Sequence, residues 1–144
     1  APMDIRSVMT ADPACCNAGA TLREVALMMR KHDCGEIPVV DEANKPLGVI
    51  TDRDIAVRAV ADGADAASTV GDYMTSPVTT IREAASLEDC ARLMGDNQIR
   101  RVVVVDDQGC LSGIVAQADI ALSGRDAKTA EVVKEVSEPS LSRQ

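Results

Sequence analysis

The chain repeats itself at a spacing of 65 residues: Met9-Thr10 returns as Met74-Thr75, and Val39-Val40-Asp41 returns as Val104-Val105-Asp106. At the same spacing, Gly48-Val49-Ile50 returns as Gly113-Ile114-Val115, and Asp54-Ile55-Ala56 as Asp119-Ile120-Ala121. A fixed period of this kind marks two copies of one supersecondary unit. Two copies are too few for a solenoid. They suffice for a pseudo-symmetric pair, in which each half buries the other's apolar face and a cleft forms between them.

The copies carry the same elements in the same order. Leu22, Val25, Ala26 and Met29 form an i, i+3, i+4, i+7 stripe, which predicts an amphipathic helix. Thr21 with Glu24 three residues on predicts a capping box at its start. The second copy places Ser86 before Leu87, Cys90, Ala91 and Met94, with Asp89 at the Glu24 position. β-Branched runs follow, Ile37-Pro38-Val39-Val40 and Val102-Val103-Val104-Val105, as in short strands buried on both faces. Pro38 confines its strand to an edge or a strand start. Polar turns over 41–46 and 106–109 lead into second strands at 47–50 and 112–115, which predicts a hairpin in each copy. Further helices are expected to begin near Thr51 and Ala116, and short strands to follow Pro13 and Pro77, at Ala14-Cys15-Cys16 and Val78-Thr79-Thr80.

The predicted fold is mixed α/β of the α+β type: two β-α-β-β-α repeats packed through their sheets. The repeats are assigned to 3–60 and 61–123, the second including a linker at 61–69 rich in Ala, Asp and Gly. A polar tail, 124–144, carries one more weak stripe, Thr129, Val132, Val133 and Val136, that predicts a short helix.

Composition narrows the function. Phe and Trp are absent and Tyr73 is the one aromatic residue, which removes the stacking platform used to hold single-stranded nucleic acid. A net charge of −8 opposes binding to a phosphate backbone, so no nucleic-acid partner is expected. No apolar run reaches the roughly 18 residues of a membrane-spanning helix. No basic segment leads into an apolar one as in a secretory leader. Five cysteines, without framework spacing, fit a reducing cytoplasm. Cys90 reads as a small hydrophobe on its helix. His32, the single histidine, reads as an exposed helix-end residue, and no nucleophile elbow or P-loop is present. No catalytic or metal-ligating residue is therefore assigned, and an enzyme is not expected. Cys15, Cys16 and Cys34 lack the spacing of a zinc site and leave a thiol redox or metal sensor as a weaker alternative.

The series Met-Thr, Pro, capped helix, Ile-Pro-Val-Val-Asp and Gly-Val-Ile-Thr-x-x-Asp, appearing twice in register, resembles the cystathionine-β-synthase (CBS) domain family. Two such units in tandem look like a Bateman module, here without an attached effector domain. The resemblance implies a non-enzymatic regulatory module. Its ligands would be adenosine-containing, AMP, ADP, ATP, NAD or S-adenosylmethionine, held in clefts between the repeats. It also implies a homodimer that passes occupancy to an effector protein in trans. A ligand-free protein-interaction module is the alternative.

The resemblance places the ribose on Gly48-Val49-Ile50-Thr51-Asp52-Arg53-Asp54, with Thr51 and Asp54 as contacts. The chemistry is apt, because a carboxylate accepts both hydroxyls of a diol and a helix start favours a phosphate. Arg53 either adds a charged contact or points to solvent. The same Thr-x-x-Asp pattern is equally an N-cap. In the second copy Ala116 replaces the threonine while Asp119 keeps its place, which favours a separate job for the carboxylate and predicts two unlike sites. The implied adenine pocket comprises Ala14, Cys15 and Ile37 in the first copy and Val78, Thr79 and Val102 in the second. Core packing is an equal reading for Ile37 and Val102. Arg100 and Arg101, where the first copy has Gly35-Glu36, point to phosphate contact or to ordinary solvation.

Overall fold

A computed structural model describes residues 4–122; the stripe at 129–136 lies outside them. The elements in order are β1 (Thr10–Ala11), α1 (Leu22–His32), β2 (Glu36–Val40), β3 (Pro46–Thr51), a π-helical segment (Asp54–Val60), β4 (Thr80–Arg82), α2 (Leu87–Asn97), β5 (Arg101–Val105) and β6 (Leu111–Ala116). Residues 117–122 are again helical. The second helices thus start one residue after Thr51 and Ala116, which close β3 and β6.

Both first helices begin as their caps dictate. Thr21 accepts from the Glu24 backbone while Glu24 accepts from the Thr21 backbone. Ser86 accepts from the Asp89 N–H, but the shorter Asp89 turns to Arg92 instead of closing the box. Leu22, Val25 and Met29 are buried on α1, as are Cys90 and Met94 on α2. Ala26 and Ala91 depart from the predicted stripes and face solvent. The linker is not a loose tether. The carbonyls of Ser68 and Ala66 accept from the N–H groups of Leu22 and Arg23, filling donors that a helix start leaves open.

β2 and β3 form one antiparallel hairpin, β5 and β6 the other. The second is extended to a four-stranded sheet of order β1-β6-β5-β4. β4 pairs with β5 in parallel at Thr80–Arg82, two residues beyond the predicted Val78 start. The reason is inward packing: Ile81 lies against the second core cluster, while Val78 and Thr79 remain on a cavity wall. In the first repeat the corresponding contact is a single parallel bridge, Cys16 to Val39.

The two repeats exchange their entry segments. Thr10 and Ala11 of the first pair with Ile114 and Gly113 of the second. Reciprocally, Thr75 of the second pairs with Val49 of the first, with N–H···O distances of 3.0 and 2.8 Å. Gly48 and Gly113 lie under these crossings. A Cβ at Gly48 would stand 2.5 Å from the Thr75 carbonyl oxygen, and one at Gly113 would stand 2.6 Å from the Met9 sulfur and 2.8 Å from the Thr10 oxygen.

Two apolar clusters make the core. One gathers Leu22, Val25, Met29, Ile37, Val39, Ile50, Ala59 and Val70; the other gathers Ile5, Cys90, Met94, Val102, Val104 and Val115. The alternate residues Pro38 and Val103 are also fully buried, so β2 and β5 are covered on both faces, as their unbroken apolar runs predicted.

Gly48→Ala and Gly113→Ala should each lower unfolding free energy by about 1–3 kcal/mol, because backbone or packed sulfur must move. Gly95→Ala, inside α2 with nothing within 4 Å of the new methyl, should raise it by about 0.5–1 kcal/mol. Denaturant titration of the three variants checks the contrast.

Candidate functional site

Asp54 lies in the first turn of the helix after β3 and is only 8% exposed. Its backbone N–H donates to Thr51 Oγ1 and its carboxylate accepts from the Thr51 N–H, each at 3.0 Å. This is a reciprocal capping box. The same carboxylate accepts from the Thr75 hydroxyl at 3.2 and 3.3 Å and from Arg58 at 3.5 Å. Arg58 also donates to the Tyr73 carbonyl at 2.9 Å. Asp54 therefore ties the entry segment of the second repeat to the first.

Asp119 repeats half of this arrangement. It still caps its helix start, accepting from the Ala116 N–H at 3.2 Å, because that bond needs only backbone on the partner's side. What Ala116 loses is the return bond from the Asp119 N–H to a side-chain oxygen. Arg53 is exposed.

The second-repeat residues come together. Val78, Thr79, Arg100 and Arg101 line a cavity of about 370 Å³. Glu36 and Val49 close it from the first repeat, with Thr75 and Ile99 beside them. Val102 does not reach it, being fully buried in the second cluster; its neighbour Val103 takes the wall position instead. Strand alternation explains the exchange, since adjacent residues face opposite sides. Ile37 is likewise fully buried, in the first cluster, and Ala14 packs against that cluster. Cys15 lines a separate, more open cavity with Cys16, Asp41 and Glu42. Burial, then Cys15 and Glu24, push the Cys16 thiol up to about 11, so its reactive thiolate form is suppressed at neutral pH. Among the described residues no three His, Cys, Asp or Glu side chains are grouped to hold a metal ion.

Glu36 is the site residue that sequence reasoning passed over. The signal was present, because Glu36 and Arg101 occupy equivalent repeat positions. Burial raises the Glu36 carboxyl above its ordinary value; Arg101 pulls it down and Asp54 adds to the rise.

The comparisons agree with this architecture. The CBS domain model matches residues 5–60 and 70–124. The chain belongs to the CBS domain family and carries two copies of the domain. Hypoxic response protein 1 of Mycobacterium tuberculosis is 32% identical over 93% of this chain and 94% of its own length. A structure of Hypoxic Response Protein I with two coordinated zinc ions aligns at 33% identity and a TM-score of 0.75, covering 83% of this chain and 98% of that one. The CBS domain pair of protein MJ0100, solved with 5′-methylthioadenosine and S-adenosyl-L-methionine, aligns at 30% identity and a TM-score of 0.79, covering 89% and 100%. A Pyrobaculum aerophilum CBS domain protein complexed with AMP aligns at 28% identity and a TM-score of 0.72, covering 81% and 89%. Of a Methanopyrus kandleri relative, 37% identical over 80% of this chain, the chain spans 57% of the length.

Asp54→Ala should lower unfolding free energy by about 0.5–2 kcal/mol, from the lost cap and the lost tie to Thr75. Unchanged denaturant midpoints would show that these bonds are dispensable.

Glu36 generates a pH prediction. A raised folded-state value means that its contribution to stability is present below the unfolded carboxyl value and lost as pH rises through the folded one. Glu36→Gln should therefore gain on wild type as pH climbs above about 4.5, measured as unfolding free energy across a pH series. Parallel profiles would contradict the burial of the charge.

Proposed function

We propose that this chain is a regulatory Bateman module that binds an adenosyl ligand in the cavity between its repeats and does not itself catalyse a reaction. The carrying observation is the cavity itself. Two arginines stand at its mouth, an apolar wall of Val49, Val78, Ile99 and Val103 suits a purine, and both repeats contribute. Support comes from the AMP and S-adenosylmethionine complexes of its relatives. Arg100 and Arg101 are the phosphate contacts in this reading, Val78 and Thr79 border the base, and Asp54 acts one hydrogen bond back, through Thr75. Thr51 and Asp119 complete the implied ribose sites of the two repeats.

A ligand seated between Glu36 and Val49 on one side and the second repeat on the other shifts the repeats' relative orientation only by its differential affinity for the two arrangements. The module, with repeats at 3–60 and 61–123, works as a cytoplasmic homodimer and reports occupancy to an effector protein in trans.

Thermal unfolding against AMP, ADP, ATP, NAD, S-adenosylmethionine and zinc tests the reading. A ligand at 100 times its dissociation constant adds about 2.7 kcal/mol, or roughly 5–11 °C for a chain of this size. The expected result is such a shift with an adenosyl ligand, lost in Arg101→Ala. No shift with any adenosyl ligand, in protein free of carried-over nucleotide, would favour an interaction module; a shift with zinc alone would favour a metal sensor.

A further inference from the structure

The inter-repeat cavity sets opposite charges on equivalent positions. Glu36 opens β2 and Arg101 opens β5, and both line the same space. The positive charge of Arg101 favours the ionised form of Glu36 against the larger opposing effect of burial. Arg100 adds a second positive charge on the same wall, and both arginines are exposed while Glu36 is set deeper. Asp54 stands behind Glu36 as a further negative charge, with its oxygens engaged by Thr51, Thr75 and Arg58.

The cavity volume of about 370 Å³ lies near the lower end of the roughly 300–1,000 Å³ typical of small-molecule sites. That is room for a nucleoside-sized group. Two arginines against one carboxylate leave the lining with a single net positive charge. A nucleoside monophosphate, with close to two negative charges at neutral pH and above, already exceeds that charge by about one. Each further phosphate brings negative charge into a space that already holds Glu36, and like charges brought together at a partly desolvated site repel strongly. A ribose diol, by contrast, offers two donors that an ionised carboxylate accepts.

We infer that Glu36 is a specificity-determining residue of this cavity, favouring adenosyl ligands of low negative charge, such as a nucleoside monophosphate, over the triphosphate. The inference rests on the adenosyl-ligand reading above and deepens it. Specificity here is a difference between two affinities, set partly by a repulsive element.

Calorimetric titration of wild type, Glu36→Gln, Glu36→Asp and Arg101→Ala with AMP and with ATP, at pH 8 and fixed salt, tests it. Wild type should bind AMP more tightly than ATP. Glu36→Gln should narrow that ratio about tenfold, mainly by tighter ATP binding, whereas Glu36→Asp, which keeps the charge, should preserve the preference. Circular dichroism confirms that each variant is folded. If both nucleotides bind and are lost in Arg101→Ala, but the ratio is unchanged in Glu36→Gln or wild type prefers ATP, the role of Glu36 is overturned and the site stands. If wild type binds neither nucleotide, the inference falls, and the site falls with it when NAD and S-adenosylmethionine give no thermal shift either.

Discussion

The rest of the structure depends on the exchange of the two Met-Thr segments. Each repeat completes its sheet with backbone from the other: Thr10 runs against Ile114, and Thr75 against Val49. The crossing is close because Gly48 and Gly113 have no side chain to hold it off. A shared ladder of this kind covers sheet edges that would otherwise be open for pairing with other chains. It also joins the repeats into one unit, since unfolding either one strips a pairing partner from the other.

The same crossing builds the cavity. One residue beyond Thr75 come Pro77, Val78 and Thr79, so the segment that pairs with β3 continues as a wall of the inter-repeat space. Asp54 secures it from beneath through the Thr75 hydroxyl and, by way of Arg58, the Tyr73 carbonyl. The residue that the family resemblance assigns to ribose is thus already in use as a structural tie. A carboxylate has about four acceptor sites, so these partners leave little of Asp54 unengaged. Its influence on a ligand runs chiefly through Thr75.

Pseudo-symmetry makes the departures between copies informative. Gly35-Glu36 against Arg100-Arg101, and Thr51 against Ala116, change charge and hydrogen bonding while the backbone course is kept: the Asp52 N–H donates to the Gly35 carbonyl at 2.9 Å, as the Gln117 N–H does to the Arg100 carbonyl at 2.7 Å. Duplicated backbone with divergent side chains gives a single fold two chemically unlike faces around one cleft.

Much of this was legible in the residues. The 65-residue period, the capped helices and the hairpins were readable because each rests on local pattern: apolar periodicity, a hydroxyl before a helix, β-branched runs around a polar turn. The strand after Pro77 was placed two residues early, since a proline marks where a strand is allowed but inward packing of Ile81 decides where pairing begins. Val102 and Ile37 were assigned alongside true wall residues because period-two alternation leaves the choice of face open. Sequence alone determined that there are two copies of one unit, what each contains, and which charges differ between them. Only the tertiary structure decided that the copies exchange their entry strands, that Asp54 reaches beyond its local Thr51 cap to Thr75, and that Glu36 of one repeat and Arg101 of the other line one cavity. The physical reason is that these are contacts across long chain separations, set by the crossing of backbones over Gly48 and Gly113 rather than by any local preference.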